Sequence, residues 1–278
     1  MSFKTLFLAV GCDQDAAQID RAIEIARGLE AHLVVAVVGV AVPPPASPYG
    51  VVPTDLWAGE LDEGQAVTRD KAAALVARLE ASGVSFEVEP QFVDRGTVTS
   101  LAARSARYAD LTLVQLQAPG ADPLQGLVMN GALFESGRPV LLLPETAVTF
   151  PKVERVLLAW DASVEAAKAV REAIGLMQRA KAVDAVLIDP VPSFDGHGAE
   201  PGADLATYLG RHGVAVTVHR LPREGQEVGD ILRRTATDLG ADLIVMGGFG
   251  HSRLRERIFG GTTTAMMRDI KVPVLMAH

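Results

Sequence analysis

The sequence predicts an α/β protein built as two tandem, doubly wound, five-stranded parallel-sheet domains. Three observations carry this. Short apolar runs alternate with amphipathic helical stretches along the whole chain, and the pattern restarts once, after a linker from Pro144 to Pro151. Nearly half of the 278 residues (49%) are apolar while only 5% are aromatic, which favours helix-covered strands over a β-sandwich. Alternating strand and helix implies a parallel sheet, and this length suffices for two domains that each bury a core. The expected boundaries are 1–146 and 152–278.

In the first half, Thr5–Val10 reads as a buried strand and Asp15–Leu29 as a helix, with Ile19, Ala22, Ile23, Ala26 and Leu29 on one stripe. Leu33–Val40 is a second strand. The stretch from Ala41 to about Leu61 is rich in proline and reads as a loop, with Trp57 packing it down. Glu63–Ser82 reads as a helix stopped by Gly83. Val84–Val93, Thr97–Tyr108, Leu111–Leu116, Leu124–Ser136 and Pro139–Leu143 then alternate as strand and helix.

The second half repeats this order. Val156–Trp160 is a strand, Val164–Met177 a helix and Val183–Ile188 a strand. A loop over Asp189–Gly202 leads into a short helix ending near His212. Val214–Leu221, Val228–Leu239, Leu243–Met246, Thr262–Ile270 and Val272–Met276 complete it. Ala109-Asp110-Leu111 recurs as Ala241-Asp242-Leu243, and Pro139-Val140-Leu141 as Pro273-Val274-Leu275.

The net charge of −8 argues against a general nucleic-acid binder. A single cysteine, Cys12, excludes an internal disulfide framework and fits a reducing cytoplasm. The longest apolar run, Leu33–Val42, is short of the roughly 20 residues a spanning helix needs, and no signal peptide is visible. The expectation is therefore a cytoplasmic protein without a membrane partner. No histidine cluster has metal-ligand spacing, no Gly-x-Ser-x-Gly elbow surrounds Ser163, and no paired carboxylates are set for acid–base work. No catalytic residue and no metal ligand are expected.

One motif carries chemistry. The apolar strand Leu243–Met246 runs into Gly247-Gly248-Phe249-Gly250, a basic stretch with His251, Arg253, Arg255 and Arg257 follows, and Gly260-Gly261-Thr262 comes next. Glycines let backbone N–H groups approach a phosphate, and a helix N-terminus supplies unpaired donors. No Gly-Lys-Ser/Thr and no Gly-x-Gly-x-x-Gly is present, which excludes the common phosphate and dinucleotide fingerprints. Asp161 follows the first strand of this half, where open α/β sheets place ligands; the alternative is that it caps the helix beginning near Ser163. For the glycine stretch the alternative is a tight connection with no ligand.

The spacing Gly247-x-x-Gly250-x9-Gly260 resembles the nucleotide loop of the universal stress protein family, and the flanks Gly240–Gly247 and Lys271–Met276 resemble it too. The repeat makes the chain similar to a tandem member, with Rossmann-like domains of the adenine nucleotide alpha hydrolase type. What the resemblance implies is ATP, with Mg²⁺, or another adenine nucleotide bound in the C-terminal domain. Asp161 would lie at the nucleoside end and Ile188 on the adenine side. Met246, Gly247, Gly250, Gly260 and Gly261 would line the phosphate loop, with His251, Arg253 and Thr262 near the phosphates. Gly261 departs from the family, whose ATP binders usually carry Ser or Thr in that slot. In the first half the matching positions are Gly11, Gln115 and Ala118, with only Gly126 aligned to a loop glycine, so that half reads as degenerate.

The implied role is stress adaptation by a nucleotide-dependent regulator, with the halves packed as a pseudo-dimer through their last strands and a homodimer conceivable. The alternatives are a nucleotide-free scaffold for protein partners and a slow ATPase.

Overall fold

In a computed structural model, residues 3–13, 16–44, 46–47, 50–51, 55–116, 123–145, 150, 152–193, 196–248 and 270–278 are described. The chain divides into two compact units. One comprises Phe3–Val114 and Asp122–Ser136; the other comprises Met1–Ser2, Gln115–Ala121 and Gly137–His278.

The N-terminal unit contains β1 (Thr5–Gly11), α1 (Ala16–Leu29), β2 (His32–Val40), the two-residue ribbon β3 (Ala46–Ser47) and β4 (Gly50–Val51), and α2 (Asp55–Ser82). After these come β5 (Phe86–Val93), α3 (Val98–Arg107), β6 (Leu111–Gln115) and α4 (Pro123–Asn130), which widens into one π-helical turn over Gly131–Glu135. Its strands lie parallel in the order β6-β1-β2-β5. Leu6, Phe7, Leu8 and Val10 of β1 and Leu111 and Leu113 of β6 are all but fully buried. Each such side chain contributes about 1.5–3 kcal/mol relative to exposure.

The C-terminal unit contains β7 (Val140–Leu143), β8 (Arg155–Ala159), α5 (Val164–Met177), β9 (Ala182–Ile188), α6 (Ala203–Arg211), β10 (Thr217–Leu221), α7 (Val228–Leu239), β11 (Leu243–Gly247) and β12 (Val274–Ala277). The order is β10-β9-β8-β11-β12-β7. The first five strands are parallel, and β12 pairs antiparallel with β7 through Val274↔Leu142 and Met276↔Val140. The predicted α/β architecture of parallel, doubly wound sheets is what the structure has, with one difference: β7, expected to close the first half as a fifth parallel strand, belongs to the C-terminal unit and pairs antiparallel with β12.

Three expectations are corrected. The loop assigned up to Leu61 ends earlier, because α2 already begins at Asp55; between Pro53 and Pro90 no proline bars a helix. Trp57 therefore lies in the first turn of α2, where its Nε1 donates to the Val42 carbonyl at 2.9 Å and ties that turn to the end of β2. The helix expected over Leu124–Ser136 changes pitch at Gly131, where a Cβ would lie 2.1 Å from the Thr99 carbonyl oxygen of α3. Strand starts at Val84, Val214 and Val272 move inward to Phe86, Thr217 and Val274. The helix expected over Thr262–Ile270 lies, except for Ile270, outside the described residues. Among the described residues no helix is long and apolar enough to cross a membrane.

The repeated Ala-Asp-Leu has a structural reason. Asp242 accepts from the backbone N–H of Glu154 at 2.8 Å and Arg155 at 2.9 Å, clamping the start of β8 against β11. Asp110 accepts from Lys4 at 2.7 Å and Thr5 at 3.0 Å, doing the same for β1 and β6. These clamps sit at the amino ends of the strands and position the opposite edge.

Candidate functional site

In the C-terminal unit the chain runs outward from β8 through β9 to β10, then returns to place β11 on the other side of β8. The sheet therefore has its topological switch point between β8 and β11, and the region beyond the carboxyl ends there is where open α/β sheets form their ligand crevice. Asp161 follows β8, Ile188 ends β9, and Met246 and Gly247 end β11, so four of the expected residues come from three strands that share this edge. Gly250, His251, Arg253, Gly260, Gly261 and Thr262 lie outside the described residues.

Asp161 has local work as well. Its Oδ1 accepts from the Ser163 backbone N–H at 3.0 Å and the Ser163 hydroxyl at 2.6 Å. Ser163 in turn is the N-cap of α5 and accepts from Ala166 N–H at 3.1 Å. Between them Ala162 takes a left-handed conformation, φ 59°, which costs a non-glycine residue of order 1 kcal/mol. Asp161 therefore does not itself cap α5: Ser163 does, and Asp161 holds Ser163, which fixes the carboxylate beyond the carboxyl end of β8.

Gly247 is close to α5. A Cβ there would lie 2.6 Å from the Ala166 backbone nitrogen and 2.8 Å from the Glu165 carbonyl carbon. The position demands glycine because the first turn of α5 passes over the end of β11.

Several residues of this edge carried no signal in the sequence. Val164 is 80% exposed and Val191 69%, three residues beyond Asp161 and Ile188 respectively. Asp189 is left-handed, φ 45°, and accepts from the Arg223 backbone N–H at 3.1 Å. The Gly248 carbonyl meets His278 Nδ1 at 2.8 Å, and Lys168 Nζ of α5 donates to the His278 carbonyl at 2.5 Å. Only knowledge of the pairing β11–β12 brings these distant residues together.

The same edge of the N-terminal unit is built differently. Leu6 pairs with Leu111 as Val156 pairs with Leu243, which sets Gly11 in the place of Asp161 and Gln115 in the place of Gly247. Gln115 is 3% exposed. At the end of β2 the space is taken by α2 and β5: a Cβ on Gly39 would lie 2.1 Å from Thr68 Oγ1 and 2.8 Å from the Phe92 ring. Cys12 Sγ lies 3.5 Å from the same Thr68 hydroxyl. Among the described residues no group of three His, Cys, Asp or Glu side chains is placed to hold a metal ion.

The sequence profile of the Universal stress protein family matches residues 152–278. A universal stress protein of Synechocystis sp. is 28% identical over 141 residues, which are 50% of this chain and 46% of that protein, so the match spans about half the relative's length. The fold of a universal stress protein from Archaeoglobus fulgidus superposes with a TM-score of 0.71 at 18% identity, covering 98% of this chain and 95% of that one. A Pseudomonas aeruginosa protein of unknown function gives 0.61 at 18% identity, over 99% and 92%. At such identity these likenesses show the fold alone. A universal stress protein solved in complex with cAMP aligns over 45% of this chain and 97% of its own, with a TM-score of 0.34 that carries no argument.

Proposed function

Through residues 152–278 this chain belongs to the universal stress protein family, and from that premise we propose that its C-terminal domain binds ATP or another adenine nucleotide. The observation that carries the reading is the convergence of Asp161, Ile188, Met246 and Gly247 on the switch-point crevice between β8 and β11. A carboxylate there suits ribose hydroxyls, and the open side chains of Val164 and Val191 suit a base. The residues present fit a nucleoside: Asp161 is held in place by Ser163 at the crevice mouth. The phosphates, with Mg²⁺ as their counter-ion, would fall to Gly250, His251, Arg253, Gly260, Gly261 and Thr262 in our proposal, on their spacing alone.

The protein acts in this reading as a cytoplasmic, nucleotide-dependent regulator of stress adaptation rather than as a fast enzyme. The N-terminal domain, 1–146, would bind no nucleotide, for Thr68 and Phe92 take up the space at the end of β2 and Gln115 replaces the glycine. Pairing of the last strands of the two repeats, Val140–Leu143 with Val274–Ala277, is the arrangement that a pseudo-dimer would use. The test is equilibrium binding of Mg-ATP to wild type and an Asp161→Ala variant. Saturable binding that weakens about tenfold or more supports the assignment, since lost hydrogen bonds to a charged group are worth about 1.5–3 kcal/mol; equal affinity removes Asp161 from the site.

A specific observation favours a second reading, a nucleotide-free scaffold for protein partners. Both Gly247 and Asp161 have structural duties at α5 that require no ligand. That reading predicts no heat with any adenine nucleotide.

A further inference from the structure

We propose that the C-terminal domain carries a second ligand site, away from the crevice, for a short aliphatic carboxylate. A cavity of about 230 Å³ opens between α7 and the chain entering β12. It lies toward the amino ends of β11 and β12, whereas the crevice lies beyond the carboxyl ends. Its floor is apolar: Ala236 is 1% exposed, Ile244 2% and Ile270 8%, and Val272 completes it.

The rim is cationic. Arg233, Arg234 and Lys271 stand around a single carboxylate, Asp230. Asp230 is taken up by an ion pair with Arg233. Arg234 donates from Nη1 to the neutral Gln226 Oε1 at 2.8 Å, and among the described residues neither it nor Lys271 forms an ion pair with a carboxylate within 4.0 Å. The apolar floor thus meets a rim on which three cations outnumber one carboxylate.

The chemistry of the ligand follows from this division. The floor gains from an apolar body, because removing apolar surface from water is favourable by about 25 cal/mol per Å². The rim selects an anion, and the guanidinium fork of Arg234 matches the two oxygens of a carboxylate. The volume is below the roughly 300 Å³ at which sites for drug-sized ligands begin, which limits the tail to a short chain. An eight-carbon acid has the right balance of charge and length.

The experiment is a titration of the full chain, isotopically labelled at isoleucine methyl groups, with sodium octanoate, followed by NMR. Saturable shifts of the Ile244 and Ile270 methyls are expected, with 1-octanol and inorganic phosphate each at least about tenfold weaker, because neither supplies both halves of the interaction. An Arg234→Ala/Lys271→Ala variant should keep the spectrum of a folded protein and lose about tenfold or more in octanoate affinity. The proposal is overturned if octanoate up to about 10 mM, the scale of a Kd worth only about 3 kcal/mol, leaves these methyls unmoved. It is equally overturned if octanol or phosphate matches octanoate, or if the double variant binds as tightly as wild type. Because the readout sits on Ile244 and Ile270, it is independent of whether ATP binds at the opposite edge.

Discussion

Gly247 at the end of β11 sits so close to Ala166 in the first turn of α5 that a Cβ would approach the Ala166 nitrogen to 2.6 Å. The atom met is backbone, which cannot swing aside. Replacement by alanine should destabilise the protein by about 1–3 kcal/mol, the usual cost of overpacking, and valine should cost more. Urea denaturation of the Gly247→Ala variant is the check, and an unchanged midpoint would mean that α5 yields. Loss of ligand binding in a Gly247 variant is therefore ambiguous by itself.

Asp184 on β9 is 5% exposed and accepts from Arg155 Nη1 at 3.0 Å on β8, while its other oxygen meets His219 Nε2 at 2.8 Å on β10. One carboxylate thus joins three strands. Breaking a buried pair by removing one partner costs about 3–5 kcal/mol, but Arg155 remains 39% exposed and can rehydrate. We expect Asp184→Ala to cost about 2–3 kcal/mol on that scale. Thermal unfolding of this variant beside Asp20→Ala, whose ion pair with Arg78 is half-exposed, separates the two cases. The surface pair should be worth less than about 1 kcal/mol.

Asp94 before α3 accepts from the Thr97 hydroxyl at 2.5 Å and from the Thr97 backbone N–H at 3.1 Å. The hydroxyl bond is the main cause of a carboxyl pKa below the ordinary 3.8; slight desolvation of this exposed carboxylate opposes it, and backbone N–H groups of Gly96 and Thr97 add to the lowering. A depressed folded-state value means the stabilisation is present above the unfolded value and is lost as pH falls through the folded one. NMR titration of the Asp94 carboxyl should give a midpoint below 3.8 in wild type and a higher one in Thr97→Val. Identical midpoints would show that the backbone amides alone set the shift.

Much of this architecture is legible in the sequence because parallel strands buried on both faces are written as unbroken apolar runs, as in Val35–Val38 and Leu243–Met246. The repeat was legible through Ala109-Asp110-Leu111 and Ala241-Asp242-Leu243, although the reason emerged only with the backbone clamps on Lys4–Thr5 and Glu154–Arg155. The start of α2 is hidden in the sequence, since a run of prolines ending at Pro53 masks helix-forming residues from Asp55 onward. At the crevice, Asp161 could be singled out because a lone carboxylate after a strand is a local pattern. The duty of Gly247 against Ala166 depends on contacts between elements far apart in the chain, and the openness of Val164 and Val191 depends on what fails to cover them. Sequence spacing encodes neither.

Nucleotide binding in the C-terminal domain is tested by calorimetric titration of nucleotide-stripped protein with Mg-ATP. The partner variant is Gly250→Val, which leaves the Gly247–Ala166 contact intact. Saturable heat near one site per chain is expected in wild type, lost in a variant that remains folded. Absence of heat at millimolar ATP from folded wild type would contradict it and leave the scaffold reading in its place.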